Sequence, residues 1–245
     1  MATAPTGRPS DPSLAPAPTP AREAIPPLEA GDALSRPEFE RRYGAMPGIK
    51  KAELIEGIVR MPSPVSFRRH GQPHADLLAW LGTYRAGTPG VLTADNASVR
   101  LDLDNMPQPD ALLMIDPARG GQARIGDDDF VEGAPELVAE VASSSVSFDL
   151  HAKLRVYRRG GVREYVVWRV ADRAIDWFVL RDGEFVPQAP DADGLLRSSA
   201  FPGLWLDPVA LIAGDRARVL AVVPRGLACP EHAVFAATSR TPGEE

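Results

Sequence analysis

The 245-residue chain reads as a mixed α/β domain, a central β-sheet flanked by helices, on three observations. Short apolar runs rich in Val, Ile and Leu recur between turn residues, as strands require. Two longer segments carry apolar residues at helical spacing, one of them with Leu150, Leu154 and Tyr157 at i, i+4 and i+7, as core-facing helices require. The order is helix, hairpin, helix, then a run of strands interrupted by one helix, a pattern that suits helices packed on a sheet. No fixed-period repeat is present, which argues against a solenoid.

The elements follow in order. Residues 1–30 hold eight prolines among Ala, Ser and Thr. Proline fixes φ and removes a backbone donor, so this stretch is expected to be a disordered, polyproline-like tail. Ser35-Arg36-Pro37-Glu38 fits a capping box and opens a short helix to about Tyr43. Glu53 to Arg60 is strand-like with one glycine, predicting a hairpin or bulge closed by Pro62 and Pro64. His74 to Tyr84 places Leu77, Leu78, Trp80 and Leu81 on a core-facing helix. Ser98–Leu103, Asp110–Ile115 and Glu136–Ala142 are strand candidates. Asp149 to Arg159 is helical, stopped by Gly160-Gly161. Glu164–Val170 and Ala174–Leu180 are strands, and Asp182-Gly183 turns the chain into Glu184–Val186. A proline-punctuated apolar segment, Phe201 to Ile212, closes a domain spanning 31–214, and 215–245 reads as a partly disordered extension.

Composition narrows the chemistry. One cysteine excludes a disulfide framework and any multi-cysteine zinc site. No apolar run reaches the roughly 18–20 residues of a membrane span, so a soluble, cytoplasmic protein is expected. The 27 Lys+Arg against 33 Asp+Glu, a net charge of −6, lean away from a protein that coats nucleic acid. There is no G-x-S-x-G elbow, P-loop or G-x-G-x-x-G after a strand. The Ser143-Ser144-Ser145 run reads as loop chemistry rather than as a nucleophile. His70 and His74 have the spacing of zinc ligands, but Gly71 and Pro73 lie between them, where a regular helix is disfavoured. A helix-start or substrate-facing role for His70 is therefore preferred.

The informative feature is acidic residues inside apolar strands. Asp110 follows Pro109 and opens Ala-Leu-Leu-Met-Ile, and Glu140 sits within Leu137-Val138-Ala139-Glu140-Val141-Ala142. Carboxylates are depleted in strands and rarely buried unpaired. Two of them about 4 Å apart repel by roughly 4 kcal/mol at an effective dielectric near 20, so a shared site needs a cation or a raised pKa. Oxygen donors suit Mg²⁺ or Mn²⁺. The alternative is that Asp110 merely starts a strand and Glu140 faces solvent. The basic stretch His151, Lys153, Arg155, Arg158, Arg159 and Arg163 tips the balance. Its bland reading is a charged surface helix with an Asp149–Lys153 ion pair. Its chemical reading is phosphodiester hydrolysis, with the lysine at the reacting centre and Arg158 and Arg159 on substrate phosphates.

These residues also form an ordered pattern. Glu53-Leu54-Ile55-Glu56-Gly57 with Arg60-Met61, Pro109-Asp110, and Glu140-Val141-Ala142-Ser143 make its first half. Asp149-x-x-x-Lys153-x-x-x-Tyr157, Gly161-Val162-Arg163-Glu164-Tyr165 and Phe201-Pro202-Gly203-Leu204 make its second. Over about residues 35–212 the chain resembles the Uma-two family of "putative restriction endonucleases" in the PD-(D/E)XK nuclease superfamily. The resemblance implies a restriction-endonuclease-like core and a Mg²⁺-dependent endonuclease acting on DNA. It implies Asp110 and Glu140 as metal ligands, completed by the Val141 carbonyl, and Glu56 as the acidic residue of the N-terminal element. The superfamily lysine normally stands two residues after the strand carboxylate, where this chain has Ala142. Lys153 on the following helix takes that part. Members that cut both strands often dimerise, so a homodimer is a candidate assembly. Two other functions stay open on the sequence: a nuclease fold that binds nucleic acid without turnover, and a hydrolase of small phosphate esters.

Overall fold

The structure is a computed structural model and describes residues 1–3, 24–61 and 64–238. Most of the proline-rich stretch, 4–23, lies outside the described residues, as do Pro62, Ser63 and the last residues from 239. In chain order the first elements are α1 (Arg36–Gly44), β1 (Glu53–Ile55), β2 (Ile58–Arg60) and α2 (Gln72–Ala86). A π-helical turn, Phe67–Gly71, leads directly into α2. Next come β3 (Val91–Asp95), β4 (Val99–Arg100), β5 (Ala111–Ile115), β6 (Arg124–Ile125), β7 (Val131–Glu132) and β8 (Leu137–Ala142). A continuous helical stretch follows: α3 (Val146–Phe148), a π-helical turn over Asp149–Lys153, and α4 (Leu154–Gly160). Strands β9 (Glu164–Arg169), β10 (Ala174–Arg181), β11 (Glu184–Pro187), β12 (Leu196–Arg197) and β13 (Trp205–Leu206) precede α5 (Pro208–Ala213), α6 (Arg216–Leu227) and α7 (Pro230–Thr238).

The central sheet has six strands in the order β11-β10-β9-β8-β5-β3. Only β8 and β9 run parallel, and the α3–α4 stretch is the crossover such a pair requires. The other neighbours are antiparallel. Strand alternation sends odd-numbered residues of β5 and β8 to one face and even-numbered residues to the other. Leu113, Ala139 and Val141 pack with Leu77, Trp80, Leu81 and Tyr84 of α2. Leu112, Met114, Val138 and Ala142 pack with Tyr157 of α4 and Tyr165 of β9. Glu140 has the parity of the second face, so it points toward the helix that carries Lys153.

Several boundaries differ from the sequence-based expectations, each for a local reason. Pro73 stands in the first turn of α2, where its missing N–H costs nothing, so the chain is helical through Pro73, while the turn up to Gly71 is π-helical rather than regular. Val91–Asp95 is a full strand on the sheet edge that the sequence reading passes over. Most of Ser98–Leu103 is irregular, and only Val99–Arg100 pairs, in a separate small sheet with β7. Beyond residue 214 the chain stays packed: Val219 and Val223 of α6 lie in the same core as Trp80 and Trp177. There Gly226 and Gly203 touch. A Cβ on Gly226 would overlap the Gly203 carbonyl, so only glycine lets α6 approach the Phe201-Pro202-Gly203-Leu204 loop.

Candidate active site

Strand register places Asp110 opposite Glu140. Ala111 pairs with Ala139 across β5 and β8, and continuing that antiparallel register by one residue aligns the two carboxylates. Both are 3% exposed. The buried Glu53, on β1, and Asp149, on the π-helical turn before α4, join them. Two lysines enter this acidic interior. Lys153 Nζ lies 2.7 Å from Glu140 Oε1 and 2.8 Å from Glu53 Oε1. Lys51 Nζ lies 3.0 Å from Asp110 Oδ1 and donates to Asn96 Oδ1 at 2.8 Å.

Each carboxylate has further partners. Asp110 Oδ2 accepts from the Val141 backbone N–H at 2.9 Å and contacts His70 Nε2 at 3.1 Å. His74 Nε2 reaches the Asp110 carbonyl at 2.7 Å and Asp95 Oδ1 at 3.1 Å. Tyr157 donates its hydroxyl to Glu140 Oε1 at 2.9 Å, so both donors fall on Oε1 and no described donor falls on Oε2. Glu53 Oε1 accepts from the Gln108 N–H. Asp149 accepts from Ser145 Oγ at 2.6 Å rather than pairing with Lys153. Two buried atoms beside these groups, His70 Nδ1 and Gln108 Oε1, have no partner.

The electrostatics report a surplus of negative charge. Glu53, Asp110, Glu140 and Asp149 share two lysines, Lys51 and Lys153, which leaves two uncompensated charges with all six ionised. Burial pushes the Glu140 carboxyl up to about 8, and Asp110, Asp149 and Glu53 add to the rise against the pull of Lys153. Burial likewise raises Asp149. For Lys153 burial works the other way, yet Glu140, Glu53 and Asp149 outweigh it and hold its proton well above the usual lysine range. Lys51 is raised by the same balance of burial against Asp110, Glu140 and Glu53. Asp110 is the exception: burial would raise it, but the His70 hydrogen bond, Lys51 and the Val141 N–H keep it well below the usual carboxylate range. Glu140, Asp149, Lys51 and Lys153 therefore hold protons more tightly than in water, and Asp110 less tightly.

That donor set fits a hard divalent cation in chemistry, because it offers carboxylate oxygens whose crowding a bound cation would relieve. It is not a ready-made cage. Among the described residues no three His, Cys, Asp or Glu side chains gather as metal ligands, so main-chain oxygen and water would complete the shell.

The structure brings Asp110, Glu140, Lys153 and His70 together and leaves Glu56, Arg158 and Arg159 outside. Glu56 occupies the β1–β2 turn, where Glu56 and Gly57 both take positive φ (52° and 74°), as the tight hairpin turn demands. Its side chain pairs with Arg155 at 2.9 Å and Arg159 at 3.2 Å on the surface. Glu53, three residues earlier, is the acidic residue that β1 turns inward. Arg158 is engaged by Glu184 and the Gly183 carbonyl, and Arg163 by Gln122. The arginines of the basic helix are thus spent on intramolecular pairs rather than presented to a phosphate backbone. The sequence does not single out Lys51, Glu53 and Asn96 as site residues. The available signal for Glu53 is its place beside Leu54 and Ile55, a carboxylate inside an apolar strand like Asp110 and Glu140.

A mixed sheet flanked by helices, with buried carboxylates on adjacent central strands and lysines between them, places the protein among nuclease-fold α/β proteins. Residues 36–209 match the family model Uma2, described as "Putative restriction endonuclease", and the chain belongs to that family. Among solved structures, the fold matches the crystal structure of a "putative nuclease belonging to DUF820" from Anabaena variabilis ATCC 29413. The TM-score is 0.53 at 13% identity, over 70% of this chain and 97% of that one. No curated protein matches the chain. Among the described residues no single helix is long and apolar enough to cross a membrane.

Proposed function

We propose that the protein is a divalent-metal-dependent endonuclease hydrolysing the phosphodiester bonds of DNA, with Mg²⁺ as the working ion and Mn²⁺ as its substitute. The observation that carries this reading is the buried Asp110–Glu140 pair, aligned across β5 and β8 inside a cluster of four buried carboxylates and two lysines. Asp110 and Glu140, with the Val141 carbonyl, would hold the ion, which when bound supplies charge to the phosphate and lowers the pKa of water. Lys153 keeps its proton and fixes Glu140 through Oε1, leaving Oε2 turned to other partners. Lys51 does the same for Asp110 Oδ1, so each carboxylate is oriented by its own lysine. His70 holds Asp110 Oδ2, and its second ring nitrogen is buried beside the site without a partner.

A second reading, a nuclease fold that binds nucleic acid without turnover, is favoured by one observation. Both carboxylates already have lysine partners, so charge pairing alone accounts for part of their burial. Incubation with supercoiled plasmid and single-stranded DNA separates the two. Cleavage that requires Mg²⁺ or Mn²⁺ and is lost in Asp110→Asn and Glu140→Gln is expected. DNA binding without cleavage in any divalent metal would favour the silent module, and cleavage surviving both substitutions would refute the site.

A further inference from the structure

The arginines expected to hold phosphate are consumed by ion pairs, and cations without such partners lie elsewhere. Lys50, Arg68 and Arg69 are exposed, and none of their side chains makes an ion pair or hydrogen bond with another described residue. Each is chained to a residue that touches Asp110. Lys50 precedes Lys51, and Arg68 and Arg69 precede His70. The same π-helical turn, Phe67–Gly71, begins with the most exposed aromatic ring among the described residues, Phe67 at 74%. Val65 beside it is also exposed. A bare aromatic ring costs solvation and does nothing for the core, whereas an unpaired base offers it a π-face.

We infer that Phe67, Arg68, Arg69 and Lys50 form the substrate entrance of the site, and that they take single-stranded or locally unpaired DNA. A base stacks on Phe67 while Arg68, Arg69 and Lys50 hold the flanking phosphates and lead the strand to Asp110. Duplex DNA keeps its bases inside the stack and offers Phe67 nothing, so it gains only the cationic contacts. This deepens the nuclease reading above and rests on it for the substrate's destination, but binding tests it without catalysis.

The test is fluorescence anisotropy with labelled single-stranded and duplex oligonucleotides of equal length, in EDTA, across a salt series. The wild type is expected to prefer the single strand. Phe67→Ala should weaken single-strand binding about five-fold or more, the lower end of base–aromatic stacking, and leave duplex binding unchanged. Arg68→Ala and Arg69→Ala should each lower the salt slope by about one and weaken both substrates. All three positions are exposed, so an unchanged melting temperature shows that the fold is intact. Equal affinity for the two forms in the wild type, or wild-type binding by Phe67→Ala, overturns the proposal. Loss of self-association in Phe67→Ala with oligonucleotide affinity intact also overturns it, assigning the patch to contact between copies. If the entrance fails while Asp110→Asn still abolishes cleavage, the nuclease reading stands; if binding behaves as expected and no cleavage occurs, only the entrance survives.

Discussion

The two ends of strand β8 bury acidic residues in opposite ways. Just before its start, Glu136 accepts from the backbone N–H groups of Ile115 and Gln122, both at 2.9 Å. Beside it, at the start of β9, Glu164 takes the Ser198 and Ser199 hydroxyls and the N–H groups of Ser199 and Ala200, at 2.6–2.9 Å. These partners are all neutral dipoles. Four residues beyond Glu136, Glu140 sits among three other carboxylates and depends on Lys153. The first arrangement uses dipoles fixed largely by the backbone, which anchor the strand without an opposite charge. The second sets four carboxylates against two lysine side chains. A carboxylate met only by neutral donors is architecture, whereas one paired with a lysine in a negative cluster is available for chemistry.

The sharpest way to break this contrast is activity. Asp110→Asn and Glu140→Gln each remove a charge the proposed ion needs, and cleavage should fall by about 10³-fold or more, equivalent to several kcal/mol of transition-state stabilisation. Glu164→Gln should cleave at near wild-type rate wherever it remains folded. Comparable losses in all three would erase the distinction. Stability should divide the regions the other way. Glu164→Ala strands several buried donors and should cost about 3 kcal/mol or more in chemical denaturation, while Glu140→Gln, which keeps the side chain's shape and leaves Lys153 its Glu53 partner, should cost less.

Proton linkage sharpens the same point. The Glu140 carboxyl is raised from 4.5 to about 8, so the metal-free folded protein keeps a proton there that the unfolded chain has already released. Its contribution to stability is therefore present below about 4.5 and is lost as pH rises toward 8. Denaturation in EDTA across that window should show the decline in wild type and a flatter profile in Glu140→Gln. An identical profile in both would show that Glu140 is not strained by its neighbours. The smallest effect is expected at Glu56, whose ion pairs with Arg155 and Arg159 are half exposed. Glu56→Gln should change stability by about 0.5 kcal/mol or less and leave cleavage intact. A large loss of cleavage would return Glu56 to the site.

Much of this is legible in the sequence because strand alternation is strict. A carboxylate flanked by Ala139 and Val141 in an apolar strand stands out, which exposes Glu140, and Asp110 follows by the same logic. Lys153 is reachable because only one crossover helix follows β8. Glu53 and Glu56 are harder to tell apart, three residues apart in one hairpin, until the turn itself fixes them. The Glu56-Gly57 pair takes positive φ, which puts Glu56 at the exposed tip and leaves Glu53 on the paired strand. Lys51 gives no local signal, since it sits outside any strand beside another lysine and reaches Asp110 only through the tertiary fold. The basic helix misleads for a similar reason: Arg155, Arg158 and Arg159 look free in sequence, while their partners Glu56 and Glu184 lie far along the chain. The cations proposed to meet DNA therefore shift from α4 to Lys50 and the turn before α2.

The Asp110–Glu140 cluster, unlike the hydrogen-bonded carboxylates at the start of β8 and β9, should accept a divalent cation. Titration with Mn²⁺ followed by electron paramagnetic resonance measures this directly. Saturable binding in the wild type and in Glu164→Gln, lost in both Asp110→Asn and Glu140→Gln, is the expected result. No saturable binding in the wild type, or binding unchanged in Asp110→Asn and Glu140→Gln, would contradict it.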